Sequence, residues 1–107
     1  MRLLALLALA SALAACAPQT TFVKTNASPK ALVSRAADAV LVFTTSTPDR
    51  PYAEVGIVSS RASTSPPQSR ATLLEAIRAE AAQQGCDGLI IAGGSAVLAE
   101  GTCIVFR

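Results

Sequence analysis

Three cysteines and no histidine limit the chemistry that this chain can perform. The cysteines are Cys16, Cys86 and Cys103. Histidine is the commonest general base and transition-metal ligand, so its absence removes the most frequent routes to acid–base catalysis. Two thiolates without a histidine leave too few ligands for a tetrahedral zinc site. Since no serine or cysteine has a base in a recognisable motif, the sequence predicts no catalytic residue, no metal, no cofactor and no enzyme activity.

Cys86 and Cys103 have two interpretations. An even pair suggests a disulfide in an oxidising compartment. If residues 87–93 and 101–107 pair directly as a hairpin, residue 103 lies nearer residue 90 than residue 86. Cα atoms more than about 7 Å apart cannot be bridged without backbone movement. This register favours two small buried thiols over the disulfide, although a different strand order would relax the objection.

A short polar loop supplies the other candidate residues. Asp49 and Arg50 lie between two prolines in the segment "STPDRPY", which has the composition of a turn. Asp49, Arg50 and Tyr52 are candidate contacts for a protein partner, and a solvated turn is the favoured alternative. The net charge is only +2 and the basic residues are scattered, which indicates no nucleic-acid partner.

One helix and four strands are predicted to position these residues. The helix covers residues 69–85: Leu73, Ile77 and Ala81 share one face, Ser69 or Thr72 can cap the start, and Gly85 suits the position after the end. The predicted strands are 38–45, expected to be buried on both faces, 53–60, with a bulge at Gly56, and then 87–93 and 101–107. The order β-β-α-β-β predicts an α+β fold with one helix packed on a small sheet.

The N-terminus resembles a bacterial lipoprotein signal. Arg2 is followed by an apolar run from Leu3 to Leu13, which is too short to span a bilayer and has the length of a signal-peptide core. The stretch "LAAC" at residues 13–16 is similar to the lipobox, whose cysteine carries lipid after cleavage. The resemblance implies a signal peptide at 1–15, a membrane anchor on Cys16 and, because Ala17 is not Asp, an outer-membrane location on the periplasmic face.

Residues 16–37 are interpreted as a lipid-anchored flexible tether, with the folded domain at 38–107. The segment after Cys16 is rich in Pro, Thr, Ser, Asn and Ala and shows no period. An ordered edge strand is the alternative, because Phe22-Val23 and Leu32-Val33 are apolar pairs.

The segments "PYAEVGIVSS", "AAQQGCDGLIIAG" and "GTCIVF" together resemble the YbjQ/RcsF-like small domains over about residues 39–107. That family includes an outer-membrane lipoprotein that reports envelope stress, proteins described as heavy-metal-binding, and ring-forming oligomers. RcsF-type domains carry two disulfides from four cysteines, whereas this domain has only Cys86 and Cys103.

Two functions from different classes follow from these features. The first is a lipid-anchored envelope module without enzyme activity, which binds another envelope protein or a second copy of itself. The second is a redox- or metal-responsive stress sensor that uses Cys86 and Cys103.

Overall fold

The structure is a computed structural model that describes residues 17–63 and 68–107. It contains a five-stranded mixed sheet with strand order β1-β3-β5-β4-β2, and one α-helix between β3 and β4 along the chain. The predicted α+β class is confirmed. The elements are β1 (Gln19–Lys24), a 3₁₀ turn (Ala37–Ala39), β2 (Leu41–Phe43), β3 (Tyr52–Arg61), α1 (Arg70–Gln84), β4 (Gly88–Gly94) and β5 (Leu98–Phe106).

The prediction of a flexible tether at residues 16–37 is wrong for residues 19–24, because they form β1. This strand pairs antiparallel with β3, from Gln19 opposite Arg61 to Lys24 opposite Gly56. The segment after β1 also contacts the domain, since the backbone N–H of Arg35 donates to the carbonyl of Ala82. The folded domain therefore begins well before residue 38, and the ordered edge strand is the correct alternative.

The first predicted strand is also shorter and more exposed than expected. Only Leu41–Phe43 form β2, which is an edge strand that pairs in parallel with β4. Leu41 and Val42 are exposed, so burial on both faces is wrong for this segment. Asp38 lies in the 3₁₀ turn that precedes the strand.

A bulge in β3 interrupts the alternation of its side chains between the two faces of the sheet. The register with β5 shifts between Glu54 and Gly56, as the glycine predicted. Val55 and Val58 are buried against the helix, while Ile57 is on the opposite face. A Cβ on residue 56 would lie 2.6 Å from the Cε2 atom of Phe22, so only glycine lets that ring cover the backbone.

Helix α1 begins and ends where its sequence indicates. The Ser69 hydroxyl accepts the backbone N–H of Thr72, and Gly85 follows the last turn with a φ of 84°. Leu73, Ile77 and Ala81 face the sheet. They pack with strand residues of the main core, which are Val55, Val58, Leu89, Ala99, Cys103 and Val105.

The sheet has two ends. At the first, called the Gln19 end, Gln19 lies opposite Arg61 and Arg61 lies opposite Leu98. At the second, called the Tyr52 end, Tyr52 lies opposite Phe106. Ten residues of β3 separate these ends, a span of about 30 Å at the usual rise of a strand.

Candidate partner-binding surface

Cys86 and Cys103 form a disulfide, with their Cα atoms 5.6 Å apart and both side chains fully buried. The interpretation as two buried thiols is therefore wrong. Cys103 lies opposite Leu89 in the β4–β5 pair, close to the predicted register. Cys86, however, is still attached to the last helical turn, because its backbone N–H donates to the carbonyl of Ala81 at 2.9 Å. The bond therefore joins the end of the helix to β5, the central strand of the sheet. The register between β4 and β5 does not determine the distance between these two cysteines, because Cys86 is not part of β4.

The disulfide also bears on metal binding. Both sulfurs are used in the bond, so neither is a thiolate ligand in this state. Within residues 17–63 and 68–107, no group of three or more His, Cys, Asp or Glu side chains is arranged to hold a metal ion.

Asp87, next to the disulfide, ties three parts of the chain together. Its carboxylate accepts the backbone N–H of Phe106 at 2.8 Å. It also forms ion pairs with Lys30 at 2.5 Å and with Arg35 at 2.7 Å, both from the segment that precedes the 3₁₀ turn.

Burial raises the pKa of Asp87, but its partners outweigh this effect. The hydrogen bond and charge of Lys30, the N–H of Phe106 and the charge of Arg35 together hold the pKa below the ordinary value of an aspartate. The carboxylate is thus charged at neutral pH and serves to attach residues 30–35 to the Tyr52 end.

The structure does not gather Asp49, Arg50 and Tyr52 into one polar cluster. The guanidinium of Arg50 lies over the ring of Phe106, 4.1 Å from its centroid, which is a cation–π contact. Tyr52 begins β3 and is half-buried, whereas Asp49 is exposed. Arg50 therefore contacts the last strand, while Asp49, Arg50 and Pro51 all remain exposed at the Tyr52 end.

An apolar row on the face of the sheet opposite α1 was missed by the sequence reasoning. Strand register aligns one residue from each strand in this row: Val23, Ile57, Thr102, Ile90 and Phe43. Val23 is 59% exposed and Ile57 is 37% exposed. The signal was the pair Phe22-Val23, whose alternation places Phe22 on the core side and Val23 on this face.

A groove lies on the other side of the sheet, between α1 and the β2 edge. It has a volume of about 250 Å³ and an apolar floor that includes Leu74, Leu89 and Ile91. Arg78 closes one side, since its guanidinium donates to the carbonyl of Val40 at 2.9 Å. Such a groove accepts an apolar group but offers few polar atoms to orient a substrate.

Comparisons with protein-family models, with curated proteins and with solved structures find no match. The function must therefore follow from the residues of this chain. The described residues form a disulfide-linked scaffold with an apolar row on one face of the sheet and an apolar groove on the other.

Cys16 and the signal peptide predicted at 1–15 lie outside the described residues. The described chain starts at Ala17, whose carbonyl accepts a hydrogen bond from the Ser63 hydroxyl at 2.9 Å. Across the described parts of the chain, no helix has the length and hydropathy needed to cross a bilayer.

Proposed function

We propose that this chain is a bacterial envelope protein anchored by lipid on Cys16, and that it acts as a binding or structural module without enzyme activity. The lipobox-like "LAAC" at residues 13–16 supports the anchor, and Ala17 supports an outer-membrane location. The observation that carries the proposal is that the same chain has a buried Cys86–Cys103 disulfide. Structural disulfides persist in oxidising compartments outside the cytosol.

The intact mass of the protein extracted from membranes tests the anchor. The expected mass is that of Cys16–Arg107 plus acyl chains, with a gain of two hydrogens when the disulfide is reduced. Cys16→Ser is the control, and it should remain unlipidated and leave the membrane fraction. A mature protein that starts elsewhere and carries no lipid would contradict the proposal.

The residue after Cys16 gives a matched test of location. Ala17→Asp should move the protein to inner-membrane fractions on a density gradient, whereas Ala17→Ser should leave it with the outer membrane. An identical distribution of the two variants would remove the basis for the outer-membrane assignment.

The partner is expected at the Tyr52 end, because Asp49 is exposed in the loop that precedes β3 there. A photocrosslinking residue at position 49 should give one discrete product in cells, either with one envelope protein or with a second copy of this chain. The same residue at Ala71, which is exposed at the start of α1 near the Gln19 end, is the control and should give none. Equal products from both positions would argue against a partner at this end.

A redox-responsive sensor is the second candidate, because reduction of the Cys86–Cys103 disulfide would change the covalent link between α1 and β5. The complete burial of both cysteines argues for a structural bond instead, because labile disulfides are usually strained or exposed. The double variant Cys86→Ala with Cys103→Ala should lose about 3 kcal/mol of unfolding free energy, as expected for a loop of this length. A changed crosslinked product from position 49 in this variant would support the sensor, and an unchanged one the structural role.

A further inference from the structure

The connection between Cys16, the proposed lipid site, and the folded sheet is short. Only Ala17 and Pro18 separate Cys16 from Gln19, the first residue of β1. Three residue steps span at most about 11 Å even when fully extended. The hydrogen bond from Ser63 to the carbonyl of Ala17 fixes one of these two residues to the domain. A lipid on Cys16 would therefore hold the Gln19 end at the level of the lipid headgroups.

The residues at the Gln19 end are of the types that contact a lipid bilayer surface. Arg61, opposite Gln19, is exposed, and Arg70 at the start of α1 donates to the carbonyl of Ser95 at 3.1 Å. Val97, in the turn between β4 and β5, is 58% exposed although it is apolar. The backbone N–H of Ala62 donates to the carbonyl of Val97 at 2.8 Å, which holds this turn beside Arg61.

The charge at this end has one sign. Among the described residues that form the Gln19 end, which are 17–19, 61–63, 68–71 and 93–98, the charged residues are Arg61 and Arg70. Basic side chains attract anionic headgroups, and an adjacent apolar side chain can insert among them.

We propose that the Gln19 end is a membrane-docking surface that rests on the phospholipid bilayer, with Arg61 and Arg70 facing anionic headgroups and Val97 inserted between them. This inference rests on the lipid anchor proposed above. It places the domain flush against the bilayer, in contrast to a domain that swings on a tether. The Tyr52 end then points away from the membrane, about 30 Å from it, and presents Asp49 to the periplasm.

Depth-dependent quenching tests this orientation. The lipidated full-length mature protein is reconstituted in vesicles of phosphatidylethanolamine and phosphatidylglycerol, with an environment-sensitive dye on Ala96→Cys or on Asp49→Cys. Cys86 and Cys103 are bonded to each other and Cys16 carries the lipid, so the new thiol takes the dye. A nitroxide on the lipid headgroup should quench the dye at residue 96 strongly and the dye at residue 49 little.

Matched surface variants test which residues dock. Arg61→Gln should weaken the docked state about fivefold, the expected contribution of one basic residue near an anionic surface, whereas Arg107→Gln at the Tyr52 end should not. Val97→Ser should also weaken docking. Val33→Ser is its control, because Val33 is 67% exposed and lies beside Gly85 at the far end of α1.

The outcomes separate this inference from the proposal on which it rests. A mass without lipid on Cys16 would overturn both. A lipidated protein with equal quenching at residues 96 and 49 would overturn the docking surface alone, and so would Arg61→Gln and Val97→Ser variants that match their controls. Strong quenching at residue 96 that depends on Arg61 and Val97 would support it.

Discussion

Asp87 shows how one residue can decide whether a neighbouring segment belongs to the fold. Its carboxylate receives a backbone N–H from β5 and the side chains of Lys30 and Arg35. The same segment lies so close to Gly85 that a Cβ there would be 2.6 Å from the backbone nitrogen of Val33. A charged group at position 87 and a glycine at position 85 are therefore both needed to seat residues 30–35 against the helix end.

Asp87→Asn should lower the free energy of unfolding by about 2–3 kcal/mol at neutral pH. The variant removes both ion pairs and leaves the half-buried Arg35 without a counter-charge. Urea denaturation measures the loss. Asp49→Asn is the control, because Asp49 is exposed, and should change stability by less than about 0.5 kcal/mol. Equal effects of the two substitutions would contradict the role given to Asp87.

The same carboxylate predicts a pH dependence. Its pKa is lower in the folded protein than the unfolded value of about 3.9, so its contribution is fully present above that value. The contribution is lost as the pH falls through the lower pKa of the folded state. Unfolding measured from pH 7 to acid should show the difference between wild type and Asp87→Asn shrinking below about pH 4. A difference that stays constant in acid would show that the ionised carboxylate is not its source.

Among the elements, β1 shows what the sequence could and could not specify. Helix α1 was predictable because Ser69, Gly85 and the spacing of Leu73, Ile77 and Ala81 are local signals. The strand Gln19–Lys24 has no local signal as strong, because its stability comes from pairing with residues far along the chain. The disulfide was the disfavoured of two interpretations for the same reason, since its feasibility depends on how the helix end lies above β5.

Two neighbouring residues distinguish a packed β1 from a spacer. Phe22 covers Gly56 and packs against the core, whereas Val23 is on the opposite face. Phe22→Ala should cost about 2 kcal/mol or more of unfolding free energy, and Val23→Ala less than about 1 kcal/mol. Thermal or urea unfolding of the two variants measures this. If both were neutral, residues 19–24 would behave as a spacer.

At the scale of the whole molecule, the proposed lipid on Cys16 would anchor the Gln19 end of the sheet and leave the Tyr52 end to present Asp49. β1 starts next to the proposed lipid site, and β3 runs from the Tyr52 end to the Gln19 end. The loop that carries Asp49 thus lies at the opposite end of the sheet from Gln19, the first residue of β1. If Cys16 carries the proposed lipid, the two residues before β1 would fix the orientation of the domain, since they are too few to act as a flexible spacer.

Lengthening the connection should uncouple the domain from the membrane surface. A Gly/Ser segment of about 20 residues inserted between Ala17 and Pro18 has a root-mean-square length of about 25 Å, and it keeps Ala17 next to Cys16. The protein should still carry lipid, and it should lose only about 1 kcal/mol with the Ser63–Ala17 hydrogen bond. Headgroup quenching of a dye at residue 96 should fall and become more sensitive to salt, because docking then depends on Arg61, Arg70 and Val97 without a short anchor.

The same segment added after Arg107 is the control and should leave the quenching unchanged. If the insertion at residue 17 also left it unchanged, the docking surface would hold the domain by its own affinity, and the short connection would not be what orients the molecule.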